Sequence, residues 1–173
     1  KSPCIIDKQA DIVVAAKRVA WGKFLNGGQT CIAPDYLLLH HDVKEKFYTA
    51  FKNSLKEFYG NNPQDSADFP RIINDKHFNR LSSMITDGKI ITGGKTDEDT
   101  RYIAPTLIEI DSLEHPLMRD EIFGPILPVL TIHSIDEAIS IVKKFEKPLA
   151  FYIFSNNYAN QQKCLHTVQF GGG

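Results

Sequence analysis

The sequence predicts an α/β fold, a three-layer α/β/α sandwich around a largely parallel sheet, and three observations carry that expectation. Short apolar β-rich runs alternate along the chain with amphipathic stretches of helical period, the pattern that repeated βα units produce. A length of 173 residues suits one domain with a substantial core. With 42% hydrophobic and 24% charged residues the composition is globular, which excludes a disordered or fibrous chain.

The elements follow in order. Pro3 to Asp7, with Cys-Ile-Ile at its centre, reads as a buried strand. From Ala10 to Leu25 the apolar residues Ile12, Val13, Ala16, Val19, Ala20 and Phe24 recur at three- and four-residue steps, a helix that Asn26-Gly27-Gly28 stops. Tyr36 to His40 is the next strand. Asp42 with Glu45 three residues on forms a candidate capping box for a helix to Tyr59, whose apolar face is Val43, Phe47, Phe51, Leu55 and Phe58. Gly60 to Phe69 is polar and rich in Asn, Asp and Pro, so it reads as a loop, and a helix over Asp75 to Ile85 leads to a short strand at Lys89 to Thr92. After a turn at Gly93-Gly94, Lys95 to Thr100 reads as a solvated loop. Tyr102 to Ile110 is a strand interrupted by Pro105, which suggests an edge or a bulge. Ile126 to Ile132 is a strand, Ser134 with Glu137 caps a helix over Ile135 to Phe145, Leu149 to Phe154 is an apolar strand, and Asn157 to Val168 a last helix.

Twenty Lys and Arg against twenty-one Asp and Glu leave a net charge of −1, which gives no electrostatic footprint for nucleic acid or an anionic membrane. A small molecule or another protein is the expected partner. No apolar run is long enough to cross a bilayer and the first residues lack the layout of a signal peptide, so the expected location is cytoplasmic. Cys4, Cys31 and Cys164 are too few and too far apart for a disulfide framework or a zinc site, and each is expected to be a free thiol. His40, His41, His77, His115, His133 and His166 show no metal-ligand spacing, so no metal is expected and surface or capping roles are assigned to them.

Chemistry concentrates in two short segments. Cys31 lies in Phe24-Leu25-Asn26-Gly27-Gly28-Gln29-Thr30-Cys31-Ile32-Ala33-Pro34, where a helix breaks at paired glycines. Backbone amides exposed by such a turn can stabilise a thiolate and hold the oxyanion formed when that thiolate attacks a carbonyl. Composition alone leaves a structural role open, because Cys is among the most buried residue types. The second segment is Glu121-Ile122-Phe123-Gly124-Pro125, a carboxylate and an aromatic on a Gly-Pro turn ahead of a strand. A carboxylate there can accept hydrogen bonds from a ribose diol while Phe123 lies against a flat ring; a solvated Glu beside a core Phe is the alternative. Cys4, within a strand, reads as an inert core thiol, and Cys164 as packed on the last helix.

Together these segments resemble the aldehyde dehydrogenase superfamily. Phe24 to Ala33 is similar to that family's cysteine signature, Glu121 to Pro125 to its Glu-x-Phe-Gly-Pro element, and Lys1-Ser2-Pro3 to the tail of its glutamate signature. Ala33-Pro34-Asp35-Tyr36, Leu55-Lys56-Glu57-Phe58-Tyr59-Gly60, Arg101-Tyr102-Ile103-Ala104-Pro105-Thr106 and Glu146-Lys147-Pro148-Leu149-Ala150 are similar to the class 3 and fatty-aldehyde branch. The resemblance implies that Cys31 is the nucleophile, that its thiohemiacetal gives hydride to the nicotinamide of NAD or NADP, and that the resulting thioester is hydrolysed to a carboxylic acid. It implies that Glu121 holds the nicotinamide ribose, that Phe123 flanks the nicotinamide, and that the backbone amide of Cys31 forms part of the oxyanion hole. A soft thiolate adds reversibly to a carbonyl and leaves an acyl group activated toward water, which suits this position to Cys.

The same resemblance implies that the family's general-base glutamate, its oxyanion asparagine and its dinucleotide-binding domain lie before Lys1, and that an oligomerisation strand lies after Gly173. Residues 1–173 are therefore expected to be a catalytic domain truncated at both ends, inactive alone, from a parent that forms a homo-oligomer and takes a small-molecule aldehyde as substrate. Two other readings stay open: a cysteine hydrolase or acyltransferase that uses Cys31 without nicotinamide, and a non-enzymatic, self-associating fragment.

Overall fold

Hydrophobic period and capping chemistry place the elements of the computed structural model, which describes residues 1–85 and 88–173. In chain order they are β1 (Pro3–Ile6), α1 (Ile12–Phe24), β2 (Tyr36–His40), α2 (Lys44–Tyr59), α3 (Asp75–Ser82), β3 (Lys89–Thr92), β4 (Thr96–Asp97), β5 (Tyr102–Ile103), β6 (Thr106–Glu109), α4 (Pro116–Arg119), β7 (Ile126–Ile132), α5 (Ile135–Val142), β8 (Tyr152–Phe154) and α6 (Tyr158–Thr167). The main sheet has the order β3-β6-β7-β2-β1-β8, parallel throughout except for β3, which runs antiparallel at the edge. Each central strand is a short apolar run buried on both faces, which is what a covered parallel sheet demands.

Alternation along the strands sends residues to two separate cores. Cys4, Ile6, Leu37, Leu39, Leu127 and Val129 pack under α1 and α2, whereas Ile5, Leu38, Ile126 and Ile132 pack under α3, α5 and α6. Helices on both faces make the three-layer α/β/α sandwich that the sequence predicts.

Several boundaries differ from the sequence reading, for local physical reasons. Asp11 caps α1 by accepting from the Val14 amide, which sets the helix start at Ile12, and Ala15 is buried while Val13 faces outward, 68% exposed. Asp42 does not cap α2. The chain instead makes a 3-10 turn over His41–Val43, in which the His40 ring accepts from the Asp42 amide, and Val43 enters the helix with no side-chain cap. Residues Lys95 to Thr100 are not wholly loop, since Thr96–Asp97 pairs antiparallel with Tyr102–Ile103. Pro105 therefore marks where the chain leaves that small hairpin for β6, an inner strand of the main sheet and not an edge. The helix at Asp75 stops at Ser82 and that at Ile135 at Val142. The last strand is regular only over Tyr152–Phe154, with Ala150 bridged to Gly172. The short α4, capped by the His115 ring, has no counterpart in the sequence reading.

Candidate active site

The break after α1 shapes the first half of the site. Asn26, Gly27 and Gly28 all have positive φ (52°, 63° and 74°), so three successive left-handed residues end the helix and swing the chain outward. Gln29 then locks the turn: its Nε2 donates to the carbonyls of Asn26 (3.0 Å) and Arg71 (3.2 Å), and its Oε1 accepts from the Ile73 amide (3.0 Å). The Ala33 amide closes on the Thr30 carbonyl, and the Tyr152 hydroxyl donates to the Ile32 carbonyl at 2.7 Å. Cys31 sits within this braced loop with its thiol exposed. The other two thiols are buried: desolvation pushes Cys164 up to about 11 and raises Cys4 further still. The sequence predicts Cys4 in a core strand and Cys164 packed on the last helix, and both are buried.

The second half precedes β7. Glu121 is exposed, and its carboxylate has no hydrogen-bond or ion-pair partner among the described residues. Ile122 is buried, its amide donating to Asp35 Oδ1 (3.0 Å) and its carbonyl accepting from Arg80 (2.6 Å). Phe123 has φ 53°, an uncommon conformation for a bulky residue, and 42% of it stands in solvent. Strain and an exposed ring at one position make Phe123 a candidate for contact with a ligand.

The structure brings the two segments together. They enter the adjacent parallel strands β2 and β7 at their N-terminal ends, and Gly28 meets Gly124 so closely that a Cβ on Gly28 would lie 2.3 Å from the Gly124 carbonyl oxygen. Gly124 in turn leaves no room for a Cβ against Leu81. A free acceptor pair on Glu121 and an unpacked ring on Phe123 fit the ribose and the flat ring of a nicotinamide nucleotide.

Beneath the loops lies a buried ionic cluster that the sequence reading missed. Lys1 Nζ ion-pairs with Asp35 Oδ2 at 2.6 Å and donates to the carbonyls of Leu117 (2.9 Å) and Asp120 (2.6 Å). Lys23, on the last turn of α1, is fully buried with no hydrogen-bond partner for Nζ. Desolvation lowers it to about 8, with Asp35 opposing that shift, Lys1 adding to it and Glu121 opposing it more weakly. Lys1 and Asp35 both fall in the motifs that carry the family resemblance, but no pattern shows that residues 34 positions apart share one buried pair.

At the C-terminal end of β2, His40, His41 and Asp42 come together, with ligand atoms within 4.8 Å of one another. Each is already engaged: His40 Nε2 with the His133 carbonyl (3.0 Å), His40 Nδ1 with the Asp42 amide (3.3 Å), and His41 Nε2 with the Asp42 carboxylate (2.8 Å). The rings of His40, His41 and His133 pile on one another, so this cluster caps the end of β2.

Residues 1–172 match the family model described as "Aldehyde dehydrogenase family". The chain is 48% identical to the 4,4'-diaponeurosporen-aldehyde dehydrogenase of Staphylococcus aureus, over all of this chain and 38% of that protein. It is 46% identical to the dimeric NADP-preferring aldehyde dehydrogenase of Rattus norvegicus, over 99% of this chain and 38% of that protein. Of solved structures, the substrate-bound state of Staphylococcus aureus AldH superposes with a TM-score of 0.98 at 47% identity, covering 100% of this chain and 38% of that one. An indole-3-acetaldehyde dehydrogenase complexed with NAD+ superposes with a TM-score of 0.88 at 26% identity, over 99% of this chain and 37% of that one. The chain thus spans under two fifths of the length of these curated relatives.

Proposed function

The chain belongs to the aldehyde dehydrogenase family, and from that premise we propose that it is the thiol-bearing catalytic segment of a longer, NAD- or NADP-dependent enzyme that oxidises aldehydes to carboxylic acids. The observation that carries this reading is the exposed Cys31 thiol on a braced loop packed, through Gly28 and Gly124, against the segment that presents Glu121 and Phe123.

The chemistry of the chain's own residues follows. Cys31 Sγ, as thiolate, forms a bond to the aldehyde carbon while the carbonyl π pair moves to oxygen. The backbone amide of Cys31 donates to that oxyanion, a contribution worth about 10²–10³ in rate for one such donor. A bound nicotinamide supplies the hydride acceptor that the oxidation needs. Glu121, whose carboxylate has no hydrogen-bond or ion-pair partner among the described residues, would hold the ribose hydroxyls, and Phe123 would flank the nicotinamide. The thioester left on Cys31 then accepts water at its acyl carbon, and the Cys31 sulfur departs as thiolate with the bonding pair, ready for another cycle.

Two features of relatives extend to this protein within the same proposal: the rat relative's dimeric state supports a homo-oligomeric parent, and its NADP preference supports a nicotinamide dinucleotide as the oxidant. No helix of the described residues is long and apolar enough to cross a membrane. In the full-length enzyme, Cys31→Ala should abolish aldehyde-dependent growth of NADH or NADPH absorbance while binding of the dinucleotide persists. Unchanged turnover in that variant would refute the assignment. The segment alone should show no turnover, since Glu121 and Phe123 cannot by themselves hold a dinucleotide in the close approach that hydride transfer requires.

A further inference from the structure

Glu121 is an awkward residue to aim. Its side chain is long, exposed and without a hydrogen-bond or ion-pair partner among the described residues, so its direction depends largely on the backbone that carries it. That backbone is held from both sides. Lys1 Nζ takes the carbonyls of Leu117 and Asp120, the latter immediately before Glu121. Asp35 Oδ1 takes the amide of Ile122, immediately after it, and Arg80 takes the Ile122 carbonyl. Lys1 and Asp35 close the clamp by pairing with each other at 2.6 Å, with side chains only 5% and 4% exposed.

A buried ion pair of this kind is weak evidence for stability, because removing two charges from water costs about as much as their attraction returns. Its use here is geometric. Lys1 precedes β1, Asp35 precedes β2 only four residues after Cys31, and the Asp35 amide itself bonds the Ser2 carbonyl at 2.8 Å. The clamp therefore ties the segment bearing the carboxylate to the same two strand ends that anchor the cysteine loop. Lys23, buried within electrostatic reach of Asp35, places a second positive charge beside the same carboxylate.

We propose that Lys1 and Asp35 are positioning residues for the nicotinamide dinucleotide, acting through Glu121 by fixing the backbone on either side of it. The proposal rests on the reading of Glu121 as the ribose-binding carboxylate. Preorganisation of this sort lowers the ordering cost of binding and should leave the intrinsic reactivity of the thiol unchanged.

The test uses the full-length enzyme, with NAD and NADP as probes in titration calorimetry and iodoacetamide as probe of Cys31. Asp35→Asn keeps an acceptor for the Ile122 amide but loses the charge that holds Lys1. It should raise the dinucleotide Kd about tenfold or more, as loss of a charge-assisted contact does, with Cys31 alkylation changed by less than about twofold. Glu121→Gln should also raise Kd, and the double variant should be no worse than the weaker-binding single by more than about twofold, since both changes act on one carboxylate. If Asp35→Asn fails to fold, Lys1→Met carries the same expectations, and a thermal melt identifies the folded variant. The proposal is overturned if Glu121→Gln raises Kd while the clamp variants do not, if the two effects multiply, or if Cys31 reactivity collapses along with binding. If Glu121→Gln alone leaves Kd unchanged, the reading of Glu121 has failed and the clamp's role falls with it.

Discussion

Replacing Gly28 with Ala should separate the two halves of the site. Gly28 has φ 74°, where an L side chain costs about 1–2 kcal/mol. The added Cβ would also meet the Gly124 carbonyl oxygen at 2.3 Å, its carbon at 2.7 Å and the Lys23 carbonyl oxygen at 3.0 Å. All three are backbone atoms, so no side chain can rotate away, and the loops must part by about 1 Å to reach ordinary contact. Overpacking of this kind costs about 1–3 kcal/mol more, for a total of about 2–5 kcal/mol. Two other glycines serve as references. Gly60 has φ 75° and open space within 4 Å of where a Cβ would lie, so Gly60→Ala carries the conformational cost alone. Gly22 lies inside α1 with Pro34 Cδ no nearer than 3.7 Å, and Gly22→Ala should stabilise by up to about 1 kcal/mol through helix propensity. Melting temperatures of the full-length enzyme should therefore fall in the order Gly22→Ala, wild type, Gly60→Ala, Gly28→Ala. Dinucleotide affinity should drop only in the last, because Gly124 adjoins Phe123. If Gly28→Ala melts with Gly60→Ala and binds normally, the close approach of the two loops is wrong.

Limiting iodoacetamide under native conditions should alkylate Cys31 first, because burial keeps Cys4 and Cys164 as thiols well above neutral pH; peptide mapping reads the order, and earlier labelling of either buried thiol would count against the loop geometry. Lys23→Met should stabilise the enzyme near neutral pH. Burial lowers the folded-state value from 10.5 to about 8, so below about 8 the folded protein carries the whole cost of a buried ammonium, about 3 kcal/mol. Between about 8 and 10.5 the unfolded chain holds the proton that the folded one has lost, so wild-type stability rises with pH and the variant's advantage shrinks. Guanidinium midpoints for the two proteins at neutral and alkaline pH check this, and an advantage independent of pH would show that Lys23 is uncharged throughout or paired by a group outside these residues.

Much of the architecture is legible because it is written in local chemistry. The runs at β1, β2 and β7 are short, apolar and bounded by breakers, and Ser134 does accept from the Glu137 amide as its spacing suggests. What escapes is whatever depends on a distant partner. Thr96–Asp97 is polar and two residues long, and becomes a strand only because Tyr102–Ile103 folds back on it. Asp42 has cap-like spacing but loses to the His40 ring, which β2 delivers already buried. At the site, the chemistry of Cys31 and of the Glu121–Phe123 pair follows from residue type and family resemblance. The Gly28–Gly124 contact and the Lys1–Asp35 pair are products of the sheet order, in which β1, β2 and β7 lie side by side. A one-dimensional pattern carries no signal for either.

The most direct test of the account asks where the substrate's acyl group goes. Full-length enzyme mixed with an aldehyde and NAD or NADP, acid-quenched during turnover and digested, should yield a peptide containing Cys31 whose mass is raised by the acyl group. That adduct should be absent when the dinucleotide is omitted. An acyl adduct on any other residue, or an adduct on Cys31 that forms equally well without dinucleotide, would contradict the central claim that Cys31 is the nucleophile of an oxidising enzyme.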